Sequence, residues 1–334
     1  MRKKLTKTLF SKIKTKDLLL RSIIYNLFNA FPSIYLENFT KNFNKINNSH
    51  WPSRPKLIFT SNSFDTDEYF KFYVINKIHN FKTKYFCGQH GNNCGTFITR
   101  SRNVEQDTSD IFLTWGWQSK FYKNHVQLFN FRQPDLRKSR YISHSLSPLF
   151  VLDATPHDFN LFDEPHIFNQ KIELFFDSLN KHYKNKVIYL KKYNNFNYNN
   201  LILRKYENLN IKFVKNLFIF KFLKENEIFV FLYDSTGFLE MININKPCLM
   251  YLDTPLSMYY LDAIRHYKNL IASKIIFDDL DKLFLHLNNI ENNVEKWWNS
   301  NKVQTEINKF RKVYSSTSTK PVDKLSKVIN YNAK

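Results

Sequence analysis

Residues 228–240 have the sequence IFVFLYDSTGFLE, and this stretch decides the fold class. Its first six residues form a continuous apolar run, which is typical of a strand buried on both faces of a parallel sheet. Asp234 and Ser235 end that run, and a helical pattern begins at Thr236. A buried strand that leads directly into a helix is the repeating unit of a doubly wound α/β sheet.

The same alternation extends outward from this stretch in both directions. Further strands are predicted in the second half at 148–153, 187–190, 211–214, 248–252 and 275–277, and helices at 167–183 and 256–271, with two more helices closing the set. The first half repeats the scheme, with strands at 56–60, 84–87 and 110–115 and a helix at 67–80. We therefore predict an α/β protein with two Rossmann-like domains built on parallel sheets.

The predicted domains are residues 1–140, which include a basic N-terminal helix, and residues 147–314. We expect the boundary between them in the polar segment 133–147, which contains Pro134 and several serines. Residues 315–334 are rich in Ser, Thr and Lys, so they are expected to form a loose C-terminal tail.

The glycines point to the functional end of the sheets. The chain has only five glycines, whereas an average protein of this length has about 7% glycine, so each one is expected where no side chain fits. They form three clusters just past predicted strands: Gly88, Gly91 and Gly95; Gly116; and Gly237. Ligands bind at the carboxyl ends of the strands in open parallel sheets, so these clusters mark a candidate site.

The Gly237 cluster is interpreted as a phosphate-binding site. Ser235, Thr236 and Gly237 would present backbone N–H groups and hydroxyls at a helix N-terminus, and Glu240, one turn later, can accept hydrogen bonds from a ribose. The alternative is an ordinary capping motif, with Ser235 or Thr236 as the cap and Glu240 closing it. Capping alone explains neither the glycine nor the position at a strand end, so we favour the phosphate site.

His90 is the candidate catalytic residue. It is flanked by Gly88 and Gly91 in a turn after a predicted strand, so its imidazole is expected to face a cleft. A histidine there can act as a general base toward a hydroxyl, or bind a phosphate as a cation. A structural histidine is the alternative; a metal ligand is disfavoured because Cys87 and Cys94 match no known spacing.

Five further residues are candidates for lining the same cleft. Gln89, Gly91 and Asn92 share the turn with His90, whereas Asp65 and Arg102 are expected near the same end of the first sheet. Asp65 and Arg102 fit an exposed surface position equally well.

The composition of the chain excludes several classes of protein. The net charge of +21 comes mostly from lysines spread along the chain without a nucleic-acid-binding motif, so we predict no nucleic-acid partner. No apolar stretch reaches the ~20 residues of a membrane-spanning helix. Three scattered cysteines do not form a disulfide framework or a metal cage. We therefore expect a cytoplasmic protein that binds no metal and needs no cofactor.

The opening of the chain is basic and then apolar. Six lysines precede the apolar segment 18–31, which is followed by Pro32. One interpretation is a frayed terminus followed by a helix that packs on the first domain; the other is a contact with an anionic membrane surface. We predict that segment 18–31 packs on the domain while the lysines give a peripheral, salt-sensitive association with the inner face of the cell membrane.

Several motifs follow one another along the chain, at residues 55–65 with 70–72, 88–91 with Gly95 and Thr96, 109–117, 235–240, 245–247, and Trp297-Trp298 with Phe310 and Tyr314. Together they resemble one family, the transferases encoded in bacterial surface-polysaccharide (O-antigen and capsule) gene clusters. These motifs follow in the family's order from about residue 35 to residue 314. The chain departs from the family at Asn92, where a second glycine is usual, at Cys94, where tyrosine is usual, and in a shorter N-terminal domain.

The resemblance implies a GT-B-like glycosyltransferase, with two domains facing each other across a cleft. It implies a nucleotide-sugar donor, a glycan or lipid-linked glycan acceptor, and helix N-termini in place of a metal ion at the leaving diphosphate. Ser235, Thr236, Gly237 and Glu240 would then bind the donor, and His90 would act in catalysis. The alternatives are a nucleotide-sugar epimerase of the same fold and a non-catalytic binding protein of the same pathway.

Overall fold

The computed structural model describes residues 1–13, 15–98, 104–133, 149–151, 165–183, 187–191, 204–214 and 228–332. The chain forms two compact units, Met1–Cys87 and Gly88–Asn332. The predicted division between residues 140 and 147 falls largely outside the described residues and stays a prediction.

The first unit contains a parallel strand pair and five helices among its described residues. In chain order these are α1 (Arg2–Lys12), α2 (Leu18–Ala30), α3 (Phe39–Asn47), β1 (Leu57–Thr60), α4 (Ser63–Thr66), α5 (Glu68–Phe81) and β2 (Lys84–Gly88). Strands β1 and β2 run parallel with Leu57 opposite Lys84, and α5 provides the crossover between them. The side chain of Asp67 caps α5 by accepting a hydrogen bond from the backbone N–H of Phe70.

The second unit holds the remaining elements. They are α6 (Val104–Thr108), β3 (Ile111–Thr114), β4 (His125–Gln127), β5 (Leu149–Val151), α7 (Pro165–Tyr183), β6 (Ile188–Lys191), β7 (Ile211–Val214), β8 (Phe229–Phe231), α8 (Thr236–Asn243), β9 (Cys248–Tyr251), α9 (Leu261–Ala272), β10 (Ile276–Phe277), α10 (Leu280–Ile290), α11 (Val294–Trp298), α12 (Asn301–Tyr314) and α13 (Pro321–Asn332). Strands β3 and β4 form a parallel pair, and strands β5 to β10 form a six-stranded parallel sheet.

The order of the large sheet is β10-β9-β8-β5-β6-β7. Counted from β7, the strands therefore follow the Rossmann order 3-2-1-4-5-6, and the direction of winding reverses between β5 and β8. Side chains such as those of Phe150, Phe229 and Leu249 are fully buried, as expected for central parallel strands covered on both faces. The stretch 228–240 thus forms the fourth strand and the start of its helix, directly at the reversal point.

Two stretches predicted in the second half differ in the structure. The helix predicted at 256–271 is a short 3-10 turn, Leu256–Met258, followed by α9. The chain straightens between them because Tyr259 pairs with Phe97 in an isolated antiparallel bridge and the backbone N–H of Tyr260 donates to the Thr96 carbonyl at 2.9 Å. Four helices, α10 to α13, follow β10 where two were expected, since polar caps interrupt the pattern, as at Ser300.

The two ends of the chain are also more ordered than predicted. Residues 2–12 form α1 instead of a frayed terminus. In place of a loose tail, the C-terminal segment contains α13, which has Pro321 at its first position and Asp323 in its first turn. Among the described residues, no helix is long and apolar enough to cross a membrane.

Candidate functional site

Gln89 fixes the turn that carries His90. Its side chain is buried, and its Oε1 atom accepts hydrogen bonds from the Trp115 backbone N–H at 2.9 Å and from Trp117 Nε1 at 2.7 Å. Its Nε2 atom donates to the Gly91 carbonyl at 2.8 Å. These three hydrogen bonds to protein atoms indicate that Gln89 holds the turn in place. His90, the next residue, is exposed.

The turn is bonded to the start of α8. The backbone N–H of Asn92 donates to the Thr236 hydroxyl at 3.0 Å, and its side-chain amide donates to Oδ1 of Asp234. A Cβ atom on Gly91 would lie 3.3 Å from the Thr236 hydroxyl oxygen, so glycine suits this close approach. The structure thus brings together two glycine clusters that lie far apart in the sequence.

Asp234 is the centre of a buried hydrogen-bond cluster. Its Oδ2 atom accepts from the Tyr267 hydroxyl at 2.6 Å and from the Tyr259 hydroxyl at 3.1 Å. Burial raises the pKa of both tyrosines far above the usual range, and the charge of Asp234 raises it further. Both hydroxyls therefore remain protonated donors, and they hold the carboxylate at the end of β8.

Ser235 and Thr236 both use their hydroxyls within the protein. Ser235 is buried and caps α8, where its Oγ atom accepts from the Phe238 N–H at 3.2 Å, and Thr236 accepts from Asn92. Ser235 is therefore the cap, as in the alternative that the sequence left open, while the ion pair described for Glu240 is with Arg132. A capped helix still has first-turn N–H groups without an intrahelical acceptor, and here these belong to Thr236 and Gly237. A phosphate bound at this helix would use those two backbone groups.

Glu240 lies on α8 with only 5% of its side chain exposed. It forms an ion pair with the guanidinium of Arg132, whose side chain is 57% exposed. A buried carboxylate is stable when a cation lies beside it. Glu240, predicted from the sequence to bind a ribose, therefore has the exposed Arg132 side chain as a charged partner.

Residues at the C-terminal end of α12 form hydrogen bonds that stabilise the site. The fully buried Ser315 hydroxyl accepts from the side-chain amides of Asn130 at 3.0 Å and Asn243 at 2.8 Å. The Ser316 N–H donates to the Trp115 carbonyl at 2.7 Å. A Cβ atom on Gly116 would lie 2.8 Å from the Val313 carbonyl oxygen, so this glycine makes room for the protein backbone. Gly95 likewise makes room for the Trp117 ring.

Two further candidates are not assigned to this cluster. Asp65 is exposed on α4, in the unit Met1–Cys87, and Arg102 lies outside the described residues. The sequence did not single out Tyr259, Tyr267 or Arg132, which all contact residues of this site. Tyr259 and Tyr267 follow the 3-10 turn that breaks the predicted helix. Within the described part of the chain, no group of three or more His, Cys, Asp or Glu side chains could hold a metal ion.

Comparison with solved structures shows the type of fold. The chain is similar to the UDP complex of MnaA from S. aureus, with a TM-score of 0.52 and 10% identity over 93% of this chain and 86% of that one. Its similarity to TarM has a TM-score of 0.47 at 11% identity, over 84% of this chain and 55% of that one. For the pneumococcal O-GlcNAc transferase GtfA, in complex with UDP and GlcNAc, the TM-score is 0.47 at 11% identity, over 89% and 60%.

The first of these likenesses places the chain in the GT-B type of α/β fold with parallel sheets, as the sequence predicted. Among curated proteins, none matches the sequence. A family model, that of the LIC12162 family transferases, matches residues 1–329. The chain therefore belongs to the LIC12162 family of transferases and is an enzyme.

Proposed function

We propose that this transferase moves a sugar from a nucleotide-activated donor to a surface-glycan acceptor, without a metal ion. The observation that carries the proposal is the position of α8. It begins at the point where the winding of the Rossmann-ordered sheet reverses, which is where α/β proteins bind nucleotides. MnaA, which has a similar fold, was solved with UDP, so a nucleoside diphosphate is the first ligand to test.

The leaving diphosphate would bind at the N-terminus of α8. Backbone N–H groups of Thr236 and Gly237, together with the helix dipole, supply about half a positive charge there. Such fixed dipoles stabilise negative charge that develops as the sugar–phosphate bond breaks. The buried carboxylate of Glu240 would accept hydrogen bonds from the ribose, with Arg132 moving away to allow it.

His90 would act on the acceptor side. It is exposed, and the turn that holds it is bonded to α8 through Asn92. In that position an imidazole can take the proton from the attacking hydroxyl of the acceptor as the new glycosidic bond forms. Gln89 would serve as a positioning residue, since its contacts with Trp115, Trp117 and Gly91 fix the turn.

Acceptors of surface-glycan synthesis are carried on lipid, so we place the enzyme at the inner face of the cell membrane. Exposed lysines of the opening segment, namely Lys3, Lys4, Lys7, Lys12 and Lys16, support this placement. Each lysine near an anionic leaflet contributes about 1 kcal/mol of attraction. The association would be peripheral and would weaken as salt is added.

The experiment is a panel of UDP-, GDP-, CMP-, CDP- and dTDP-sugars, tested by calorimetry and by transfer to a lipid-linked glycan, with and without EDTA. We expect one nucleotide class to bind and its sugar to be transferred equally well in EDTA. Glu240→Gln should weaken nucleotide binding at least tenfold, whereas Glu207→Gln, at an exposed position of the same unit, should not. Failure of every nucleotide to bind would refute the proposal, and donor turnover without acceptor would indicate an epimerase instead.

A further inference from the structure

The helix α2 exposes an unusual amount of apolar surface. Of its residues and the Phe31 that follows, only Ile24 is buried, while seven large apolar side chains are between 41% and 80% exposed. Those seven are Leu18, Leu19, Leu20, Ile23, Tyr25, Leu27 and Phe31. Scattered apolar residues are normal on a protein surface, but a contiguous patch marks a site of interaction.

Five of these side chains form one stripe. Leu19, Ile23 and Leu27 follow each other at intervals of four residues, and Leu20 and Phe31 lie beside them. At 100° per residue, the four members on the helix cover an arc of about 100°, and Phe31 follows at the C-cap. We call these five residues the α2 stripe. The polar residues Ser22 and Asn29 lie on the opposite side of the helix.

The helix is held firmly by α1 on another face. The two helices pack together, with the rings of Phe10 and Tyr25 6.4 Å apart. The Arg2 guanidinium donates to the carbonyls of Phe28 and Asn29 at the end of α2, and its Nε atom pairs with Glu37 at 2.6 Å. The stripe is therefore displayed on a fixed helical hairpin. This differs from the sequence expectation that segment 18–31 packs its apolar residues on the domain.

The charge of the residues around the α2 stripe indicates which kind of partner the stripe would bind. Residues 1–31 contain eight basic side chains and one acidic side chain, Asp17. That excess is a third of the net charge of +21, carried by less than a tenth of the chain. A second copy of the chain would bring the same positive charge to the contact, which disfavours self-association. An anionic lipid surface offers both the negative charge and the apolar interior.

We infer that α2 lies in the plane of an anionic membrane, with the α2 stripe inserted to the level of the upper acyl chains. The lysines of α1 would contact the lipid headgroups. With 13 residues, α2 is about 20 Å long, too short to span a bilayer but well suited to an interfacial helix. The inference rests on the membrane association proposed above and adds insertion to it, so part of the binding should resist salt.

Vesicle flotation with matched variants tests the insertion. The stripe variant is Ile23→Gln with Leu27→Gln, and the control is Ser22→Gln with Asn29→Gln on the opposite side of α2. On vesicles of phosphatidylcholine with phosphatidylglycerol at ~0.1 M salt, where screening is moderate, we expect the stripe variant to bind at least tenfold more weakly than the wild-type chain. The control should bind as the wild-type chain does, and circular dichroism should show that both variants are folded.

A second measurement reports depth directly. Cys87, Cys94 and Cys248 are all buried, so an environment-sensitive dye will label an introduced surface cysteine selectively. The fluorescence emission of a dye attached at Leu27→Cys should shift to shorter wavelength on anionic vesicles. The emission of a dye attached at Asn29→Cys should not shift.

The outcomes separate insertion from simple attraction. If salt releases all of the protein from the vesicles and the emission of neither dye shifts, the inferred insertion is refuted and the proposed electrostatic association is supported. If the chain binds to no anionic vesicle, the inferred insertion and the proposed association are both refuted. A stable dimer that only the stripe variant abolishes would overturn the inference in favour of a protein partner.

Discussion

The Tyr267 hydroxyl donates a 2.6 Å hydrogen bond to Asp234 Oδ2, which anchors the end of β8 to α9. Tyr259 donates to the same oxygen and the Asn92 amide to the other, so three donors converge on one carboxylate. An ionised carboxylate only accepts hydrogen bonds, which matches this set of donors. Asp234 therefore links the turn that carries His90 to the helix that would bind the donor.

Replacing Asp234 by asparagine should weaken this link. The new amide presents a donor where the neighbours also donate, so we expect Asp234→Asn to lower the free energy of unfolding by about 2 kcal/mol. Tyr267→Phe removes a single donor and should cost about 1 kcal/mol. Urea unfolding measures both, with Asp262→Asn, at an exposed position of α9, as the control. Unfolding of Asp234→Asn at the wild-type midpoint would contradict this role.

Two glycines of the same turn should respond differently to alanine. Gly95 has a φ of +80°, and a Cβ atom there would lie 2.2 Å from the Trp117 ring, so Gly95→Ala should destabilise by more than about 2 kcal/mol. At Gly91 the nearest atom is the Thr236 hydroxyl oxygen at 3.3 Å, so Gly91→Ala should cost less than about 1 kcal/mol. Chemical denaturation of the pair decides this, and equal losses would show that the Trp117 contact is unimportant.

His90→Ala should separate activity from stability. Because His90 is exposed, its removal should leave the melting temperature unchanged. If it is the general base, the transfer rate should fall by about 10²-fold or more. His79→Ala, an exposed histidine on α5, is the matched control and should keep the full rate. Wild-type transfer by His90→Ala would favour a structural histidine or a non-catalytic protein.

His286 should make the protein sensitive to acid. It is 7% exposed, lies against the rings of Phe277 and Trp297, and has no hydrogen-bond partner at Nε2 among the described residues. Burial lowers its pKa from 6.5 to about 4, with the charge of Lys274 adding to the effect. The unfolded chain therefore binds more protons between these values, so the stability contributed above pH 6.5 is lost as the pH falls toward 4.

The test compares wild-type protein with His286→Leu. Urea unfolding at pH 7 and pH 4.5 should show a smaller loss of stability on acidification for the variant, because it has no imidazole to protonate. Both proteins contain the same other titrating groups, so the difference between them isolates His286. An identical loss in both would mean that the imidazole is accessible to protons in the folded state.

The sequence predicted the large sheet well because its strands are mostly apolar and alternate with helices. The strands at β7 and β9 and the start of α8 at Thr236 were recognisable from local composition alone. The break before α9 was not, since it depends on pairing between Tyr259 and Phe97, which are distant in sequence. Local propensity carries no information about such a partner.

The candidate site was predicted only in its glycine clusters. Gly91 and Thr236 were both selected as site residues, but their mutual contact could not be foreseen. The two tyrosines on Asp234 were not selected from the sequence, and Ser315 was assigned to a loose tail. Their roles arise from hydrogen bonds between distant segments, whereas a single sequence shows only spacing.

The hydrogen bonds of the site join residues that are far apart in the sequence, which determines when the site can form during synthesis. Asn92 and its partner Thr236 are 144 positions apart, and Asn130 and Ser315 are 185 positions apart. At about 5–20 residues per second, a ribosome needs roughly 7 to 30 s to deliver Thr236 after Asn92. The segment with the candidate base therefore leaves the ribosome long before its partners exist. A nascent chain that stops short of Ser315 lacks the residue that holds Asn130 and Asn243 together, so the finished site can form only after Ser315 has been synthesised.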